Sequence, residues 1–424
     1  MERDFRDQNA HIAETWRLFA CRRNRLCAKL ARRTDRKRAS GARASLKPEA
    51  NKGAEEFLRL FKDRKYAERF AAGYNGLRVK LGGLVTGGGF AVGPEYLRED
   101  LFHGNLRVRS AAQISFSGYQ RLDGEINLPN LAGEHAFIDV YAVHHNYPGI
   151  QYYGPGPDSA KTGRSVYRLE DSALDGTGGW KYKDKLKIGA SIGGLWMNVG
   201  PGSHNDFISA DKIYTERQAP GITSQTNFFR FGTFAQLDYR DNPLGPKSGG
   251  NYVIQYSRFE DIGKLQHDFN RIEVELQQHI AMFNKTRRIA LRGKTVLTDT
   301  RAGQEVPFYL RPVLGGSDDL RGFRPFRFND RNSVVYNAEY RWEIFAGLDG
   351  AVFADAGKVF PRRGLLNFRD LESSAGFGLR FNARNQTFMR IDASFSHEGF
   401  QVFFKFNNLF SQRPFGTSSS QPIF

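Results

Sequence analysis

Long apolar runs are the first thing this 424-residue sequence lacks. No stretch of about 18 uninterrupted apolar residues occurs, which excludes a membrane-spanning helix. Cysteine is nearly absent. Cys21 and Cys27 are the only two, their spacing matches no metal-binding pattern, and they are read as incidental thiols. The start, MERDFRDQNAHIAETW, has no apolar core of the kind a secretory signal needs. Catalytic groupings are also missing, with no phosphate-binding loop and no carboxylate pair at catalytic spacing. None of these absences excludes transmembrane strands, which hide apolar residues in alternation and leave a polar average.

What the sequence has in quantity is Phe (36), Tyr (17) and Gly (45), with a formal charge of +17. Much of that charge lies in Arg22, Arg23, Arg25, Lys29, Arg32, Arg33, Arg36, Lys37 and Arg38. A basic run like this could bind nucleic acid or an acidic surface, but no recognition motif accompanies it, and no nucleic-acid partner is expected. Residues 1–52 are read as a basic leader, disordered or belonging to a misassigned start. Phe57, Phe61, Tyr66 and Phe70 then recur among charged residues as in an amphipathic helix over 54–70, within a linker at 53–76.

From residue 77 the period changes to two, and turn residues divide the chain into sixteen predicted strands. They span 77–85, 89–98, 105–117, 119–128, 135–146, 164–173, 185–197, 228–240, 250–260, 269–282, 286–299, 333–345, 348–357, 373–382, 387–396 and 400–410. In 333–345 one face carries Val334, Tyr336, Ala338, Tyr340, Trp342 and Ile344, and the other Asn337, Glu339, Arg341 and Glu343. The same contrast sets Phe400, Val402, Phe404 and Phe406 against Gln401, Lys405 and Asn407. One face suits lipid and the other a wet lumen. A soluble sandwich could alternate likewise, but the longest connections, 147–163, 198–227 and 300–332, all fall at one end, as in outer-membrane barrels. The fold expected is all-β: a 16-stranded antiparallel transmembrane barrel over 77–410, followed by a tail at 411–424.

One connection carries a distinctive motif. Gly315 and Gly316 allow a tight turn, and the run to Leu320-Arg321-Gly322-Phe323 delivers one fixed cation. Its candidate partners are Glu339 and Asp355, both on polar faces of the two following strands, although ordinary lining of a polar lumen would also place carboxylates there. These three pieces, in this order, resemble the signature of the BamA/TamA superfamily, the bacterial surface antigen family, which includes two-partner secretion transporters. The resemblance implies that Arg321 folds into the barrel and locks against Glu339 and Asp355, with Gly322 permitting the backbone path and Phe323 packing the tip. It also implies a Gram-negative outer-membrane location and a role in inserting or translocating protein. Partners in that reading are outer-membrane lipid, a client β-barrel or secreted polypeptide, and periplasmic or lipoprotein partners. Neither an enzymatic reaction nor a cofactor is expected. Superfamily barrels usually follow complete periplasmic POTRA modules, and 54–70 is too short for one.

The first and last strands form a seam, with Leu81, Gly82 and Gly83 on one side and Phe404 and Phe406 on the other. They are expected to pair and close the barrel, and the glycines weaken that strand. The resemblance implies a lateral gate there, offering a strand edge to an incoming chain. The alternative is a passive channel or lipid-handling barrel without client-handling activity. Gly189-Ala190-Ser191-Ile192-Gly193 matches a nucleophile-elbow pattern, but strand alternation runs through it, so Ser191 is not expected to be catalytic. His144 and His145 are adjacent on a strand and point to opposite faces, which prevents them from sharing a metal.

Overall fold

The computed structural model describes residues 74–406 except 184, 204–205, 284–285 and 384–385. The leader with its basic cluster and both cysteines, the expected helix at 54–70 and the tail at 411–424 lie outside the described residues. Sixteen strands form one continuous antiparallel sheet, each bonded to its sequence neighbour in the barrel. The first seven are β1 Leu77–Gly83, β2 Phe90–Leu101, β3 Leu106–Ser115, β4 Gln120–Leu131, β5 Ala136–Tyr152, β6 Ser165–Tyr182 and β7 Leu186–Pro201. Four more follow: β8 Phe228–Asp238, β9 Gly249–Asp261, β10 Phe269–Met282 and β11 Arg287–Thr300. A two-stranded ribbon, β12 Val313–Leu314 and β13 Phe328–Asn329, stands apart inside the next connection. The barrel resumes with β14 Asn332–Phe345, β15 Leu348–Phe360, β16 Glu372–Ala383, β17 Gln386–Ser396 and β18 Gly399–Lys405.

The polarity of the wall is the reverse of a soluble protein's. Leu122, Ile192, Ile254, Leu276, Val352 and Phe377 face outward and are exposed, while Asp123, Arg230, Arg292, Glu339, Arg380 and Asp392 face inward and are buried. Period-two alternation produces this arrangement directly, and it is the one that suits lipid outside and a polar lumen inside. Exposed aromatics mark both rims, with Trp180 and Tyr182 at the short-turn end of β6 and Trp196 and Phe229 at the opposite end.

All three long connections project from one end. There they pack across the lumen mouth around Tyr152, Tyr167, Phe228, Phe269, Phe308 and Tyr309, a single buried cluster. Phe308 lies 5.0 Å from Tyr152 and 4.8 Å from Tyr167 between ring centroids. Strand β5 runs well past the expected 146 because this cap gives its apolar end a second surface to bury, whereas β6 runs past the expected 173 at the opposite end, where it pairs with the starts of β5 and β7.

The expected pairing of first and last strands is not seen among the described residues, which stop at 406, short of the expected 410. Among the described residues β1 pairs only with β2 and β18 only with β17. The reason is local. After Gly83 the chain turns into the lumen, burying Leu84 and Val85, which leaves β1 only seven residues long. Side chains close the gap instead: Phe406 leans on Phe90 at 5.2 Å, and a Cβ at Gly82 would stand 3.4 Å from that of Phe406. Leu81 and Phe404 are exposed on the outer face.

Candidate functional site

The connection between β11 and β14 folds back into the barrel. Gly315 and Gly316 have φ of 110° and 107°, a region that side-chain-bearing residues rarely adopt. Space is short as well, since a Cβ at Gly315 would lie 2.4 Å from the Arg324 carbonyl oxygen. Asp319 fixes the turn by accepting hydrogen bonds from the Gly315 and Leu320 amides, at 2.8 and 2.6 Å. The following residues then descend along the wall built by β14 to β18.

Arg321 lies against both candidate carboxylates. In the ladder Asn337 faces Asp355 and Glu339 faces Phe353, so the two carboxylates lie diagonally on one lumen face. The guanidinium donates Nε to Asp355 Oδ2 at 2.9 Å and Nη2 to Oδ1 at 2.7 Å, a two-pronged contact, while Nη1 donates to Glu339 Oε2 at 2.9 Å. Its carbon lies 3.3 Å from the Phe353 ring centroid, so an aromatic face supports the cation from below. Burial alone would disfavour the charge, but Asp355, Glu339 and Asp392 overcome it and hold the Arg321 pKa above its ordinary value.

Gly322 and Phe323 have equally specific surroundings. A Cβ at Gly322 would stand 2.4 Å from Ser374 Cβ and 2.9 Å from the Phe395 carbonyl oxygen, so only glycine fits against β16 and β17. Ser396 donates to its carbonyl at 2.7 Å. Phe323 is fully buried with Leu314, Leu320, Phe328, Val335 and Val359.

The network extends beyond the sequence-predicted trio. Lys405, Arg390 and Arg380 stand opposite one another in one row across β18, β17 and β16. Like charges so placed repel, and anions separate them. Glu339 accepts from Arg380 Nε at 2.9 Å and also binds Arg341. Asp392 lies between Arg380 and Arg390, 2.7 Å from each. Asp318, from the inward loop, lies between Arg390 at 2.7 Å and Lys405 at 3.1 Å. Burial pushes its carboxyl pKa upward, but Lys405 and Arg390 prevail and hold it well below the ordinary range. Period-two alternation places Arg380, Arg390 and Asp392 on the lumen face, which is the signal that could have found them.

Asp318 also touches the other side of the seam. Thr86, in the turn after β1, donates to its Oδ2 at 3.2 Å, and Thr86 Oγ1 is 3.0 Å from Ser317 Oγ. One short stretch of loop therefore contacts both the β1–β2 turn and β18.

Two other motifs resolve plainly. Ser191 lies within the continuous strand β7, without the strand-turn-helix geometry of a nucleophile elbow. His144 and His145 take opposite faces: His144 is 2.9 Å from Ser172 Oγ and His145 is buried 3.2 Å from Asp171.

The Omp85 superfamily domain matches residues 201–398, a segment that contains the inward loop and its partners on β14 to β17. Among solved structures, the fold is similar to BamA from Haemophilus ducreyi lacking POTRA domains 1-3, at 14% identity and a TM-score of 0.58, covering 78% of this chain and 69% of that one. It is also similar to CdiB from Escherichia coli, at 12% identity and a TM-score of 0.53, covering 78% of this chain and 62% of that one. The chain thus spans about three-fifths of that CdiB. No curated protein matches it in sequence. With sixteen strands, an apolar outer wall and the arginine loop docked in a charged lumen, the chain is a multi-pass outer-membrane β-barrel carrying an Omp85 superfamily domain.

Proposed function

We propose that this barrel inserts or translocates polypeptides at the outer membrane, using the seam between β1 and β18 as the site of exchange and the inward loop as its latch. The observation that carries this reading is the double contact of Asp318, to Thr86 on one side and Lys405 on the other. Among the described residues the two strand edges share no ladder, and such edges are a template for an incoming strand, because unpaired backbone groups at membrane depth favour any partner that bonds them. Client β-barrels or secreted polypeptides are the substrates in this reading, aided by periplasmic or lipoprotein partners, and the process requires no cofactor or catalytic side chain. The buried aromatic cap over the lumen mouth argues against a permanently open channel.

Reconstitution of the purified protein in liposomes tests the proposal. An added client barrel is expected to fold faster with the protein present than without it. Replacing Cys21 and Cys27 by serine and introducing Thr86→Cys with Ser317→Cys gives a latch that oxidation closes. Acceleration is expected to disappear on oxidation and return with reductant. Steady conductance without acceleration would overturn the insertion reading in favour of a passive channel.

A further inference from the structure

The connection between β15 and β16, residues 361–371, does not project freely from the barrel. It folds back along the outer wall, where Lys358 donates to Asn367 Oδ1 at 2.7 Å and to the Arg369 carbonyl at 2.9 Å. Further down that wall Phe368 stacks on Tyr336 with ring centroids 5.5 Å apart. The pinned segment nevertheless leaves its apolar side chains uncovered, with Leu365 at 44%, Leu366 at 43% and Phe368 at 77% exposure. Arg362, Arg363 and Arg369 are exposed among them, against a single acid in the segment, Asp370, with Asp299 standing 3.8 Å from Arg363. Below Tyr336 the outer wall forms a shallow groove floored by Gly293, Ala338, Ala354, Ala356 and Ala375.

Apolar side chains beside cations at a membrane rim fit a molecule that joins acyl chains to a phosphate. The segment lies at the end bearing the long connections, the end that faces outward in such barrels. We infer that residues 361–371 are a docking surface for lipopolysaccharide, the phosphate-bearing glycolipid of the outer leaflet. Arg362, Arg363 and Arg369 take its phosphates, and an acyl chain lies against Leu365, Leu366 and Phe368 above the groove. A free phosphate would use the arginines and leave the apolar trio unexplained. This site is independent of the seam and stands or falls separately from the insertion reading.

The test is lipid binding to the purified full-length barrel in detergent, read by native mass spectrometry with lipopolysaccharide, enzymatically dephosphorylated lipopolysaccharide and phosphatidylglycerol as probes. Wild-type protein is expected to retain lipopolysaccharide and to bind the dephosphorylated form and phosphatidylglycerol much more weakly. The triple substitution Arg362→Gln, Arg363→Gln, Arg369→Gln is expected to lose affinity on the order of a hundredfold, with the heat-modifiable gel shift of the barrel intact. Equal binding of the dephosphorylated form, equal binding of phosphatidylglycerol, or unchanged binding by a folded triple variant would each overturn the inference. The comparison of lipids on wild-type protein decides the matter even if the variant fails to fold.

Discussion

Asp318, on the inward loop, lies 3.1 Å from Lys405 on the last described strand. Without that carboxylate, the row formed by Lys405, Arg390 and Arg380 would have Asp392 and Glu339 on one side and no anion at the seam. Asp318→Asn is therefore expected to loosen β18 selectively. Cysteine labelling or hydrogen exchange at β18 should rise while β10 and β11 stay protected, and Lys405→Gln should be milder than Asp318→Asn because it removes one of the repelling cations. Equal protection at β18 in wild type and Asp318→Asn would refute the role given to this pair.

Arg321→Ala leaves Asp355 without its buried cation and Glu339 with only Arg380 and Arg341. Breaking a buried pair in this way costs roughly 3–5 kcal/mol. The variant is expected to assemble a barrel whose gel mobility shift collapses at lower temperature. Arg321→Lys should not restore it, since an ammonium cannot reproduce the two-pronged contact to Asp355.

Gly322→Ala tests the close approach of loop and wall. The added methyl group would meet Ser374 and the Phe395 carbonyl, so the loop should be displaced and cleaved faster by added protease. Combining it with Ser374→Gly removes the closest contact and should recover part of the protection. No recovery would mean that the Phe395 carbonyl oxygen and Ser396 Cβ, each 2.9 Å from the added methyl, dominate.

Loop docking should also depend on pH. Asp319 is half-buried, and burial pushes its carboxyl pKa up to about 6 from 3.8 against the Leu320 and Gly315 amides that hydrogen-bond it, with the neighbouring Asp318 charge adding to burial and Arg292 opposing it. A carboxyl raised in the folded state favours docking while protonated. That contribution is complete below the ordinary value and is lost as pH rises through about 6. Protease resistance of the loop is expected to be greater at pH 4.5 than at pH 7.5, with the difference reduced in Asp319→Asn.

Much of this fold was legible because one rule governs the wall. Alternation with period two marks all sixteen barrel strands, and it puts Glu339 and Asp355 on the lumen face that Arg321 meets. Adjacency between distant strands was not legible. Arg380, Arg390 and Asp392 read as three ordinary lumen residues, and only the register across β16 to β18 makes them a row. Phe353 as a support for Arg321 was hidden for the same reason. The absence of a ladder at the seam among the described residues was unreadable because β1 has a good strand pattern through residue 85, and what shortens it is a turn drawn inward by tertiary burial of Leu84 and Val85.

In a fully laddered barrel, strand number and shear together fix the circumference. Among the described residues this sheet has the strand number but no ladder across its seam, so nothing in the backbone register sets its shear. The girth of the cylinder is instead a matter of side chains, held by a bracket that runs from Thr86 through Asp318 to Lys405. Changing that bracket should change the cross-section of the whole wall, an effect that reaches strands on the far side without altering one of their hydrogen bonds.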